Sequence, residues 1–289
     1  MASIQKSYDG TVRLWRWINF AFAITLSLWM LASPASAQLK GKWLEELTPV
    51  AAPAYPDIRP FTATYRFGWS NMLDAATAKV EYTRPQKNAY TIHATGGTVG
   101  LVRRLWKIDV IHDASGSLLG CFPAKMNQKE TYASQKINME AIFQRNLSWS
   151  LRQVTPSGGG IHKWRKVPVL DLRDMTSAML FVRSQPMKVG DEIVMTAFPG
   201  DSPFLARVHV VGRETLPLNG EKKKVFRLTI ELNKINVQGA SKGALLPQSK
   251  FRKGTIWITD DADRIPVRAE VDIFIGYVYG QLESVQFAP

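Results

Sequence analysis

Four histidines, His93, His112, His162 and His209, are the first candidates for acid–base or metal chemistry in this chain. None stands at the His-x-x-x-His or His-Glu-x-x-His spacing that puts two ligands on one helical face, so a helix-borne zinc site is excluded. His93, His112 and His209 lie in strand-like runs and meet only if the fold converges there. His93 and His209 fall on the polar faces of their runs, which predicts solvated side chains. Nucleophile signatures are equally sparse. There is no Gly-x-Ser-x-Gly elbow, and Ser177 has no histidine at helical spacing. Gly96-Gly97-Thr98-Val99-Gly100 and Gly158-Gly159-Gly160 lack the Lys-Ser/Thr and following helix of a phosphate loop and read as β-loops. Asp260, Asp261 and Asp263 gather hard oxygens, yet without the glycine and distal glutamate of a calcium loop. Aspartates favour turns because their side chains accept from nearby backbone amides. Glu130, Glu140 and Asp272 are the carboxylates from which a glycosidase-like acid pair would be drawn. These patterns predict no catalytic, cofactor-binding or metal site.

Clusters of cations carry more. Arg103, Arg104 and Lys107 flank Trp106, Lys163 and Arg165 flank Trp164, and Lys250, Arg252 and Lys253 surround Phe251. Cations interleaved with aromatic rings attract anionic polymers and lipid headgroups. Arg103, Arg104, Trp106, Lys107, Lys163, Trp164 and Arg165 are therefore the candidate contacts for an anionic ligand. The opposing reading is that lysine-rich hairpins, such as Glu221–Lys224, blunt sheet edges. The whole chain is basic, with 37 Lys and Arg against 24 Asp and Glu, a formal net charge of +13.

The compartment decides which anions matter. Lys6, Arg13 and Arg16 precede an apolar run from Trp17 to Leu31, followed by Ala32-Ser33-Pro34-Ala35-Ser36-Ala37. A basic start, a short apolar centre and a small-x-small end make a secretory signal. Residues 1–37 are read as a signal peptide cut before Gln38, with Ala35 and Ala37 as the small residues the peptidase needs. An uncleaved anchor would want nearer twenty apolar residues. No cysteine follows the run, so lipid attachment there is excluded. The mature protein is expected in the periplasm, touching membrane only through the signal segment or its surface. Nucleic acid is then excluded as a partner; anionic lipid, lipopolysaccharide or wall glycan remain. The only cysteine, Cys121, can form no internal disulfide, and its neighbours Leu118, Leu119 and Phe122 predict that it is buried.

These groups sit on elements whose rhythm is legible. With 45% hydrophobic and 21% charged residues in 289, the chain is neither disordered nor a polytopic membrane protein. Residues 38–60, with Pro53, Pro56 and Pro60, read as an extended lead-in. From Phe61 the period is two: Ala78, Val80 and Tyr82; Tyr90, Ile92 and Ala94; Trp106, Ile108 and Val110; Ile137, Met139, Ala141 and Phe143. Asn219-Gly220 is a two-residue hairpin signal, and Gly276 bends the chain into a last run, Tyr277 to Phe287. The pattern predicts roughly a dozen strands in one antiparallel β domain over 61–289, as a barrel or curved sandwich. Residues 171–184 alone break it. Leu172, Met175, Met179 and Val182 recur at helical spacing, with Asp171 as N-cap and Asp174 in the first turn, so one helix covers or plugs the β-structure.

The carboxy-terminal half adds a resemblance. The helix Asp171–Arg183, then Val189-Gly190-Asp191, Val208–Glu214 before a Gly220 turn, Ile256-Trp257-Ile258-Thr259-Asp260-Asp261 and Arg264-Ile265-Pro266-Val267-Arg268 follow in order, with Ile275-Gly276 near the end. Together with Tyr65-Arg66-Phe67-Gly68-Trp69, they resemble a bacterial family of exported proteins catalogued as domain of unknown function 3108, over about residues 61–287. The resemblance implies a mainly antiparallel β-protein of the cell envelope and carries over no catalytic residue. The expected function is a non-enzymatic binding or structural module, without cofactor, whose curved sheet binds or shields an amphiphile or glycan. Phe61–Trp69, Leu105–Val110 and the final strands are expected to line the cavity. The alternative is a periplasmic hydrolase or lyase acting on envelope polysaccharide. A membrane-spanning barrel is disfavoured because Lys79, Lys107, Arg207 and Lys222 would interrupt its lipid face.

Overall fold

The computed structural model describes residues 39, 41–50, 58–70, 73–156, 163–218, 220–239, 241–247, 254–272 and 276–288. The leader, the cleavage residues Ala35, Ala37 and Gln38, His162, Gly158–Gly160 and the Lys250–Lys253 group lie outside them. Period-two alternation builds β1 (Phe61–Trp69), β2 (Leu73–Gln86), β3 (Ala89–Thr98), β4 (Ile108–Ser117), β5 (Phe122–Tyr132), β6 (Lys136–Ile142) and β7 (Ser148–Thr155), and the short β8 (Arg165–Val167) follows. The second half supplies β9 (Arg173–Asp174), β10 (Glu192–Phe198), β11 (Phe204–Leu218), β12 (Glu221–Ile235), β13 (Leu245–Pro247), β14 (Gly254–Thr259), β15 (Pro266–Asp272) and β16 (Tyr277–Phe287). Among the described residues two α-helices interrupt the strands, α1 (Gly100–Leu105) and α2 (Met175–Ser184).

Among the described residues, sixteen strands replace the expected dozen. Most of the surplus is β8, β9 and β13, of two or three residues each, too short to show any period. All belong to one sheet, ordered β8-β7-β6-β5-β4-β3-β2-β1-β16-β15-β14-β12-β11-β10-β9, with β13 beside β12. Every pairing is antiparallel except β9 with β10. The first and last strands meet in the middle, Phe61 opposite Phe287 and Phe67 opposite Gly280. The hairpin expected at Asn219-Gly220 is met at its described residues, since Leu218 pairs with Glu221 and Gly220 has φ +84°; Asn219 lies outside the described residues.

Chain connectivity forces this sheet to curl. Laid flat, its end strands β8 and β9 would lie roughly 65 Å apart at ordinary strand spacing. Only residues 168–172 separate them in sequence, a span of about 20 Å at full stretch. The sheet is nonetheless open, since β8 and β9 are not paired. Its two ends touch through side chains instead: Phe143 packs edge-on against Phe198 with ring centroids 6.3 Å apart, and an Arg165 Nη donates to the Asp201 carbonyl at 3.1 Å.

Inside the curl lies α2, which is more of a plug than a cover. Ala178, Leu180, Phe181 and Val182 join a core that includes Phe61, Tyr82, Ile193, Phe226, Ile258 and Leu282. The helix starts at Met175 rather than at residue 171. Its N-cap is Asp174, which accepts from the Thr176 amide at 2.7 Å and the Ser177 amide at 3.1 Å. Asp171 has φ +51° and lies in the turn before β9. In the lead-in, residues Lys42–Glu46 form a 3-10 helix instead of extended chain. Its Trp43 is buried and donates Nε1–H to the Gly243 carbonyl at 2.8 Å.

Candidate functional site

A cavity of about 300 Å³ separates α2 from the inner faces of β1, β2, β15 and β16. Strand parity explains its apolar wall. Phe61, Ala63, Tyr65 and Phe67 alternate inward on β1 and pair with Tyr82, Val80, Ala78 and Ala76 on β2. Across the other edge, Phe67 faces Gly280, and a Cβ there would come within 2.7 Å of the Phe67 ring. Glycine thus gives that aromatic ring its place against the sheet. From the helix, Met175, Met179 and Arg183, spaced by four, supply the opposite wall. Tyr65 donates its hydroxyl to the Pro266 carbonyl at 3.1 Å, and burial pushes its pKa up to about 12.

A second hollow of about 300 Å³ shares Phe67 with the first and continues over Ala76, Ala94, Ile108, Val110 and His112. Its lining residue His112 ends an ordered relay. The Glu130 carboxylate accepts from Gln128 Nε2 at 2.7 Å and from the Tyr132 hydroxyl at 2.7 Å. The bond to Glu130, then burial, raises the Tyr132 pKa to about 12. Because a carboxylate only accepts, the Gln128 amide must turn its Oε1 to His112 Nδ1, 3.0 Å away. Nδ1–H is then the donor, and Nε2 is buried without a partner among the described residues.

The cations and rings expected to contact an anionic ligand do not form one site. Arg165 pairs with Ser150, and that row runs through Ala141 and Met126 to Ala114, six residues along β4 from its start at Ile108. Trp164 and Trp106 are therefore separated by four strands and by about 20 Å along them. Arg103 is occupied: it grips Asp109 at 2.6 and 3.1 Å, and that bond, with the fixed charges, holds the Asp109 carboxyl below its ordinary value. Arg104, Trp106 and Lys107 are exposed, as are Lys163 and Trp164. Residues 100–105 form α1 in place of the expected β-loop leading into a strand from Trp106. This helix leaves Leu101, Leu105 and Trp106 at 59%, 79% and 73% exposure. Of the expected Leu105–Val110 lining, Ile108 and Val110 reach this second hollow.

The histidines and carboxylates are also placed. His93 faces Asp113 directly across β3 and β4 at 2.7 Å, and His209 lies 3.6 Å from Glu192, both at the surface. His112 is the exception, turned inward by the parity it shares with Ile108 and Val110. Glu130 and Glu140 cannot form an acid pair. Glu130 lies opposite Ile137 on the inner face, while Glu140 lies opposite Asn127 on the outer one. In the Asp260–Asp263 turn, Asp261 accepts from Thr259 Oγ1 and from the amides of Asp263 and Arg264, the turn chemistry expected of it. Cys121 is buried at 2% exposure with Sγ 3.8 Å from Ser184 Oγ, and burial pushes its thiol pKa up. Among the described residues, no helix is long and apolar enough to cross a membrane.

Fold and site together define a class: an open, curled antiparallel sheet wound around a buried helix, with an apolar trough between the two. The chain belongs to the family of proteins of unknown function DUF3108, whose model matches residues 61–283. No curated protein matches it. It is similar in fold to a beta-barrel-like protein of domain of unknown function DUF1849 from Brucella abortus. That likeness has 10% identity and a TM-score of 0.52, and covers 80% of this chain and 98% of the other. Weaker likenesses are to a "putative exported protein with YmcC-like fold" from Bacteroides fragilis (12% identity, TM-score 0.37, 82% of this chain and 100% of that one). A "putative lipoprotein" from Parabacteroides distasonis follows, at 7% identity and TM-score 0.33, covering 82% of this chain and 99% of that one.

Proposed function

We propose that this protein is exported to the periplasm, loses residues 1–37, and acts there as a non-enzymatic binding module for an amphiphile of the cell envelope. One observation carries the reading: the cavity under α2 is walled by aromatic and aliphatic side chains, with no carboxylate among its described lining residues. Ligand pockets have this character, largely apolar with a few fixed polar groups. An apolar wall suits an acyl chain better than a glycan, whose hydroxyls need many partners. The exposed Leu101, Leu105 and Trp106, beside Arg104 and Lys107, suit a lipid surface with anionic headgroups.

The test is a lipid extract of the protein purified from the envelope, set beside glycan-array binding. A near-stoichiometric amphiphile in the extract is the expected result. An extract free of lipid, together with glycan binding, would replace lipid by wall polysaccharide as the ligand.

A further inference from the structure

The cavity beneath α2 holds a guanidinium that no described carboxylate meets in an ion pair. Only two of its lining residues, Arg183 and Arg268, are charged. Arg268 is matched by Glu270, 2.6 Å from its Nε, and by Gln281 at 2.9 Å. Arg183 is 2% exposed and has no such partner among the described residues. One Nη donates to the Asp263 backbone carbonyl at 2.7 Å, and the guanidinium lies 5.2 Å from the centre of the Phe61 ring. Its Nε is buried with no hydrogen-bond partner among the described residues. The Asp263 carboxylate is engaged elsewhere, by Arg59 at 2.9 and 2.6 Å. A buried cation without an anion is costly, and the cost is relieved by an anion that enters beside it.

The stripe of α2 that faces the cavity also has a direction. Met175, at one end, is 52% exposed; Arg183, two turns on, is 2% exposed. An anionic head therefore belongs at the deep end, and an apolar chain leaves past Phe67 toward the second hollow. Each hollow holds about 300 Å³, so the trough suits one chain better than two. A carboxylate is planar, small enough for the closed end, and matched to the edge of a guanidinium.

Resting on the amphiphile reading, we propose that Arg183 is the headgroup-binding residue of this cavity and that the ligand is a long-chain fatty acid bound carboxylate-inward.

The experiment uses the full mature protein loaded with N-phenyl-1-naphthylamine, a neutral fluorescent probe, which is then displaced by palmitate or by methyl palmitate at pH 8. Palmitate is expected to displace the probe at a concentration at least ten times lower than the ester. In Arg183→Met, with each ligand referred to that variant's own probe affinity, acid and ester should come within about twofold, with Arg183→Lys in between. Equal displacement by acid and ester in the wild type overturns the proposal while leaving the amphiphile reading intact. A tenfold preference that survives Arg183→Met overturns it as well. Absence of saturable probe binding in the wild type removes the amphiphile reading, and this inference with it. Should Arg183→Met not fold, the wild-type ratio and Arg183→Lys decide.

Discussion

Three arginines, Arg173, Arg183 and Arg264, are almost wholly buried around α2, at 2–3% exposure. Arg173 shows how such a cation is tolerated. Its guanidinium sits 4.0 Å from the Phe181 ring and donates to the carbonyls of Asp171 and Gly120, while burial lowers its pKa to about 10. Asp174, beside it, holds the start of α2 through both carboxylate oxygens, including a 3.0 Å bond from Ser177 Oγ. Replacing it with alanine leaves buried donors unmatched and should cost about 1–3 kcal/mol. Urea unfolding checks this, and Asp174→Asn should recover part of the loss; an unchanged midpoint for the alanine variant would contradict the capping role. At Cys121, a thiol reagent should fail to label the folded protein and label it fully in denaturant. The inward face of His112 is legible from parity, two residues beyond Val110. Arg183 was not legible, because helical spacing gives its stripe with Met175 and Met179 but says nothing of a void beside it.

At the scale of elements, α1 is the departure with the most consequence. Gly96 and Gly97 lie near the end of β3, and the chain then makes one helical turn and a half that leaves its apolar side chains in water. Nothing in the period-two rhythm announces so short a helix, because six residues are too few to establish a period. If Leu105 and Trp106 meet a lipid surface, then Leu105→Ser with Trp106→Ser should leave the unfolding midpoint within about 0.5 kcal/mol, as expected of exposed positions. The same double variant should lose co-sedimentation with vesicles containing phosphatidylglycerol. Wild-type protein that ignores such vesicles would remove this surface from the account. The hairpin at Gly220 was readable because Asn-Gly fixes turn geometry locally. The start of α2 was misplaced because Asp171 and Asp174 both suit a cap, and the pairing of Arg173 and Asp174 in β9 with Ala197 and Phe198 in β10 decides between them.

The whole molecule is held by long-range pairing: β1 beside β16 closes the order of the sheet, and the curl brings β8 back toward β9. Alternation disclosed the class of structure but not this order, since every strand offers the same inward face. Three tyrosines give the assembly a pH signature. Burial pushes Tyr65 up to about 12 and raises Tyr90, while the bond to Glu130 brings Tyr132 to about 12. Above the ordinary tyrosine value near 10 the unfolded chain gives up these protons while the folded chain keeps them. Stability present below pH 10 is therefore lost as pH rises toward 12. Urea midpoints should fall between pH 9 and 11, less steeply in Tyr65→Phe.

The trough between helix and sheet is tested most directly by titrating the mature protein with N-phenyl-1-naphthylamine, comparing wild type with Ala269→Phe, which puts a ring into the cavity wall. The expected result is a saturable, one-to-one rise in fluorescence for the wild type that Ala269→Phe abolishes with its β-sheet circular dichroism intact. Equal binding by the two proteins, or no saturable binding by the wild type, would contradict it.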